Sequence, residues 1–154
     1  MLIREATPAD LPAASQLWYE RQCLLQQSDP RIQFAPDALR AWQAAAKGWL
    51  ADDAAVLFVA QLSEELAGFL AVRICAGEAG LIPARVGRLL AMAVDLHQPQ
   101  SALSSQLLER AGGWLRGRCV ATLEVDPPLH YPVEVAFWRG LGARPCSQRY
   151  RLPL

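Results

Sequence analysis

The sequence predicts an α/β protein of the α+β kind, with its elements in the order β-α-α-β-β-β-α-β-α-β. Three stretches predict it. Residues 56–74 read as two strands around the polar turn Ser63-Glu64-Glu65, an antiparallel hairpin. Residues 87–116 change period midway, from the unbroken apolar run after Arg88 to helical spacing after Ala102, so a strand enters a helix there. Two successive helical patterns occupy residues 7–53 before either of these. Antiparallel hairpins therefore come first and a crossover follows.

Each element has a local reason. Residues 2–6 alternate as a short strand, and Thr7-Pro8-Ala9-Asp10 supplies a helix start. Thr7 can cap, Pro8 needs no amide at the first position, and Asp10 sits near the positive end of the dipole. Leu11, Ala14, Leu17, Trp18, Arg21 and Leu25 follow at helical spacing to about Gln26, and Ser28-Asp29-Pro30 ends that helix. A second helix starts at Ala35-Pro36-Asp37, carries Leu39, Trp42, Ala46, Trp49 and Leu50, and closes at Asp52-Asp53. Trp18, Trp42 and Trp49 have two readings, the wall of a cleft or plain core, and aromatics at helical spacing are usually core. The hairpin strands are residues 56–61 and 66–74, and the small-residue loop 76–80 leads to a buried strand at 88–94. Asp95-Leu96-His97-Gln98-Pro99 stops that strand, and an amphipathic helix begins near Ser101. Residues 119–125 form another strand, a short helix runs from about 132 to 141 before Gly142, and residues 149–152 can be a last edge strand.

Composition sets bounds. At 154 residues the chain is long enough for one domain, residues 1–154, with a proper core. Hydrophobic residues at 53% and charged residues at 19% exclude a disordered chain. Lys+Arg 15 against Asp+Glu 15 leaves no basic excess, which argues against nucleic-acid and membrane partners. No apolar run reaches membrane-spanning length and the amino terminus does not read as a signal peptide, so the expectation is a cytoplasmic protein. Cys23, Cys75, Cys119 and Cys146 are scattered without a CxxC pair, and the two histidines are not clustered, so no metal site is expected.

The stretch from Gly87 to Arg116 carries a chemical possibility. A strand turning directly into a helix leaves the first helical amides without intrachain partners, backed by the dipole, which suits a phosphate. The other reading is a plain crossover whose serines cap the helix.

In this order the segments resemble the GCN5-related N-acetyltransferase (GNAT) superfamily over essentially the whole chain. IREATPADLPAASQLW is similar to that family's first strand and helix, VLFVAQLSEELAGFLAVRI to its second and third strands, and AFWRGLGA, residues 136–143, to its late helix ending in Leu-Gly. The resemblance implies a mixed, mostly antiparallel central sheet with helices on both faces, and acetyl-CoA as cosubstrate. In the family the loop before the third helix has the form Arg/Gln-x-x-Gly-x-Gly/Ala, and its amides bind the coenzyme A pyrophosphate. Counted from Val94-Asp95 to Leu107-Leu108 the loop fits without a gap. Its first position falls on Pro99, however, and its two glycine positions fall on Ala102 and Ser104. Ala102 and Ser104 keep their amides while Pro99 has none. No lysine or arginine lies between Asp95 and Glu109. The resemblance thus assigns the pyrophosphate to Gln100, Ser101, Ala102, Leu103, Ser104 and Ser105, helped by more distant arginines such as Arg85 or Arg88.

Acetyl transfer from a thioester to an amine needs a neutral amine, a polarised carbonyl and a proton for the departing thiolate. The resemblance places Met92, Ala93 and Val94 against the pantetheine arm, in a role that backbone atoms fill. Residues 88–94 contain no carboxylate, so Glu124 on the next strand is the first choice of base, with Asp126 or Asp95 second. Glu124 has an alternative reading, facing solvent or paired with an arginine. Many family members use as acid a tyrosine beside the phenylalanine of the late helix, but Phe137 is followed by Trp138, so Tyr131 is the nearest replacement. A tyrosine there can equally close the cleft by packing. The reading reached is an acyl-CoA dependent N-acyltransferase, acetyl being the expected group, acting on a small-molecule or peptide amine by direct transfer in a ternary complex. The alternative is a catalytically inactive member that binds a metabolite or protein partner. The family often dimerises, so a homodimer stays open, and no exposed stripe is diagnostic.

Overall fold

The computed structural model describes residues 1–98 and 100–154, and of Gln100 and Ser101 the backbone alone. Its elements are β1 (Leu2–Glu5), α1 (Leu11–Ser28), α2 (Ala38–Leu50), β2 (Ala55–Leu62), β3 (Glu65–Ala76), β4 (Arg85–Val94), α3 (Gln100–Arg116), β5 (Leu123–Glu124) and α4 (Pro132–Gly140). The five strands lie side by side in chain order, antiparallel except for the parallel pair β4 and β5. Only that last pair needs a crossover, and α3 supplies it.

Strand alternation sorts the core into two layers. Leu57 and Val59 on β2, with Phe69 and Ala71 on β3, face Leu11 and Ala14 of α1 and Trp42 and Ala46 of α2. Val56, Phe58 and Ala60, with Leu70 and Val72, face Leu103, Leu107 and Ala111 of α3. Helices therefore cover both faces, as expected. Trp42 is core, 7% exposed, with its ring 5.2 Å from that of Phe69. Trp18 and Trp49 are half-buried and pack on the same layer. A polar link ties the two helices: Gln43 Nε2 donates to the buried Ser15 Oγ at 2.8 Å.

Two expectations need correction. The fifth strand is residues 123–124 rather than 119–125, because the chain just before it is occupied in capping α3. Amides of Gly117, Arg118, Cys119 and Val120 donate to α3 carbonyls, and Cys119 adopts φ 60°. Beyond it, Pro127 and Pro128 bring no donors to a ladder. The closing strand at residues 149–152 is also not formed, so the observed order ends at α4. With β5 two residues long there is almost no edge to pair with, and Tyr150 and Leu152 are 84% and 82% exposed.

Candidate functional site: a cleft between β4 and α4

β4 meets β5 only where Gly87 pairs with Leu123 and Arg88 with Glu124. After that the two chains part. From Leu89 to Val94 the outer edge of β4 has no strand beside it, while its inner edge stays paired with β3. Half the backbone amides and carbonyls of an edge strand point outward, so this stretch offers a free ladder. A bulge interrupts the paired side: Ala71 opposes Ala91 and Val72 opposes Leu89, which leaves Leu90 as the extra residue.

The space beside the free edge is a cleft of about 150 Å³. Its floor is Met92, Ala93 and Val94 of β4, and Ser104 on α3 closes one end. Opposite stand Tyr131, Val133, Glu134 and Phe137, brought to one side by the turn of α4, and Arg21, Leu24 and Leu25 of α1 complete the wall. Most of the lining is apolar. Beside Ser104 and Tyr131, its polar part is an ion pair in which Arg21 Nη2 donates to Glu134 Oε2 at 2.6 Å, with the two side chains 22% and 13% exposed. Trp138 Nε1 donates to the other carboxylate oxygen, Oε1, at 3.4 Å.

Five of the residues singled out in the sequence meet here: Met92, Ala93, Val94, Ser104 and Tyr131. Ser104 is buried at 7% exposure, and Leu103 beside it is buried among the α3-side core. Ala102 and Ser105 are exposed on the first turns of α3. Pro99 and the side chains of Gln100 and Ser101 lie outside the described residues.

Glu124 is not in the cleft lining. It receives a hydrogen bond from Arg88 Nη2 at 3.3 Å, the arginine pairing that the sequence left open. The second-choice carboxylates are engaged elsewhere: Asp95 accepts from the His97 amide at 2.9 Å, and Asp126 pairs with Arg149 at 2.8 Å. Arg85 and Arg88 cannot back the α3 loop. Both stand at the start of β4, with Arg85 Nη1 donating to the Arg118 carbonyl at 3.0 Å, and Arg88 is six residues, roughly 20 Å of strand, from Val94. The carboxylate that does line the cleft, Glu134, had no local signal, since its partner Arg21 is 113 positions away. Among the described residues no group of three or more His, Cys, Asp or Glu is gathered as a metal site, and no helix is long and apolar enough to cross a membrane.

A five-stranded sheet whose last two parallel strands splay beside a strand-to-helix loop is the GCN5-related N-acetyltransferase fold, and solved structures bear this out. An aminoglycoside antibiotic 6'-N-acetyltransferase from Acinetobacter haemolyticus is similar with TM-score 0.79 at 18% identity, over 100% of this chain and 98% of that one. The BH1408 protein from Bacillus halodurans, as a tetramutant, is similar with TM-score 0.81 at 19% identity, over 100% of both chains. A predicted acetyltransferase from Clostridium acetobutylicum, solved with acetyl-CoA, is similar with TM-score 0.76 at 15% identity, over 99% of this chain and 95% of that one. No protein-family model matches the chain, and neither does any curated protein sequence. At these identities the likeness is one of fold.

Proposed function

We propose that the chain is an acyl-CoA dependent N-acyltransferase that moves an acetyl group from acetyl-CoA to a primary amine in a ternary complex. The observation that carries this reading is the unpaired edge of β4 at Met92, Ala93 and Val94, lining a narrow apolar cleft that runs to the first turns of α3. An extended chain bearing amides can continue the sheet along such an edge, and the pantetheine arm is a chain of that kind. The pyrophosphate is then assigned to the amino end of α3, at residues 100–105, where amides, serine hydroxyls and the dipole supply the attraction. With Arg85 and Arg88 at the far end of β4, those groups act without a β4 guanidinium. The acetyltransferases of the same fold, one of them solved with acetyl-CoA, support the choice of substrate.

In the reaction the amine nitrogen bonds to the thioester carbonyl carbon as the carbon–sulfur bond breaks, and a β4 amide polarises the carbonyl. Tyr131, in the cleft wall, gives its hydroxyl proton to the departing thiolate. Glu124 takes the proton from the amine. Because Glu124 stands opposite Arg88, four residues or roughly 13 Å of strand before Met92, the reacting carbonyl belongs between them, near the Leu90 bulge, with water completing the relay.

Calorimetry with acetyl-CoA on the purified protein tests this reading. Saturable binding that Ser104→Asp abolishes in a variant that still unfolds cooperatively, together with amine-dependent release of free thiol, is the expected result. No binding at millimolar acetyl-CoA would overturn it. Glu124→Gln should lower turnover and remove the acid limb of its pH profile, and an unchanged profile rejects Glu124 as base.

A further inference from the structure

The other side of α4 carries a second and larger cavity. While Glu134 and Phe137 face the cleft, Val135, Trp138 and Arg139 face a groove of about 540 Å³ between α4, the segment after β5, and the carboxyl-terminal residues 143–150. Its size falls in the range of small-molecule sites. The charge is uneven. Arg139, Arg144 and Arg149 line the groove against one carboxylate, Asp126, which pairs with Arg149 at 2.8 Å. Arg139 and Arg144 have no ion-pair partner among the described residues, so in a chain of zero net charge this groove holds two uncompensated positive charges. Pro127 and the buried Trp138 give it an apolar base, and Leu129 and Tyr150, 81% and 84% exposed, stand at its rim.

From this arrangement we propose that the groove is a binding site, separate from the cleft, for a small phosphomonoester whose organic part is apolar or aromatic. A phosphate ester carries a charge of about −1.5 to −2 near neutral pH, which matches the two uncompensated guanidinium groups, whereas a monocarboxylate leaves one of them unanswered. Guanidinium forks match phosphate oxygens in pairs. The apolar base and the tyrosine ring receive the organic part.

Phenyl phosphate is the probe, with benzoate and inorganic phosphate beside it, titrated into the full chain by calorimetry with and without saturating acetyl-CoA. The expected result is saturable binding of phenyl phosphate, tighter than either comparison ligand and unchanged by acetyl-CoA. Losing two charge-assisted contacts in Arg139→Gln/Arg144→Gln should weaken it roughly tenfold or more. The unfolding midpoint checks that the double variant folds, and Arg144→Gln alone, on the exposed tail, gives the same test if it does not. Absence of saturation, equal binding by a folded variant, or displacement of phenyl phosphate by acetyl-CoA would each overturn the proposal. Failure of acetyl-CoA to bind bears on the proposed acyltransfer and leaves the phenyl phosphate titration intact.

Discussion

Arg4 and Asp10 show what single residues contribute. Arg4 Nη1 and Nη2 donate to the two Asp10 oxygens at 2.8 Å each, and the Thr7 amide and hydroxyl donate to Oδ2 at 2.7 and 2.9 Å. Thr7, the cap expected from its position, stands at the N-cap and shares a capping box with Asp10, whose carboxylate accepts from it and joins the end of β1 to the start of α1. The Arg4 hydrogen bonds, against the opposing effect of burial and with help from Thr7, lower the Asp10 pKa to about 2. A carboxylate depressed in the folded state stabilises above its ordinary range, and that stability is lost as pH falls from about 4 to about 2. Urea unfolding of Asp10→Asn should therefore show about 1 kcal/mol less stability than the natural chain at pH 7, with most of the difference gone by about pH 2. Tyr131 gives a chemical prediction at the same scale. If it is the acid, Tyr131→Phe lowers kcat roughly a hundredfold while the Kd for acetyl-CoA hardly moves, and a loss confined to Kd means that the ring only packs.

Between elements, the contact that places the amino end of α3 is α3 against the sheet. Leu107 and Ala111 are fully buried on the α3-side layer, and Leu115 closes over Gly87. A Cβ built on Gly87 would lie 2.7 Å from Leu115 Cδ1 and 2.9 Å from Cδ2, so Leu115 would have to shift to admit a side chain at residue 87. Leu115 is 3% exposed and its methyls have little room to turn away. Gly87→Ala is expected to cost about 1–3 kcal/mol, read as a lower Tm. Because the strain falls at the far end of β4 from the cleft, acetyl-CoA affinity below Tm should stay within about twofold. A variant with unchanged Tm would show that α3 shifts freely on the sheet.

Across the whole molecule, α1 and α4 are separated by most of the chain and joined by the Arg21–Glu134 pair. Removing one partner of a part-buried pair leaves the other charge poorly solvated. Arg21→Gln should loosen α4 against α1, raising the acetyl-CoA Kd roughly fivefold or more and exposing α4 amides to hydrogen exchange. Faster exchange confined to α1 would instead mean that the pair serves the first helix alone.

The element order was legible because it rests on local signals: the apolar runs of residues 56–61 and 66–74 around a polar turn, the helical period from Leu103 to Leu115, the Pro8 and Pro132 starts. Met92, Ala93, Val94, Ser104 and Tyr131 could be named from the sequence because the resemblance orders them along the chain, and the structure brings all five to one cleft. What the sequence could not show depends on groups distant in it. The length of β5 was set by how α3 is capped, the last strand by the lack of an edge to join, and the Arg88–Glu124 and Arg21–Glu134 pairings by which strands and helices come to lie together. The sequence by itself determined the two-faced sheet and the strand-to-helix crossover, since periodicity is carried by neighbouring residues. Tertiary structure alone decided where β4 and β5 part, which carboxylate faces the cleft, and how three arginines collect beside α4, because each is a contact between residues that no local rule connects.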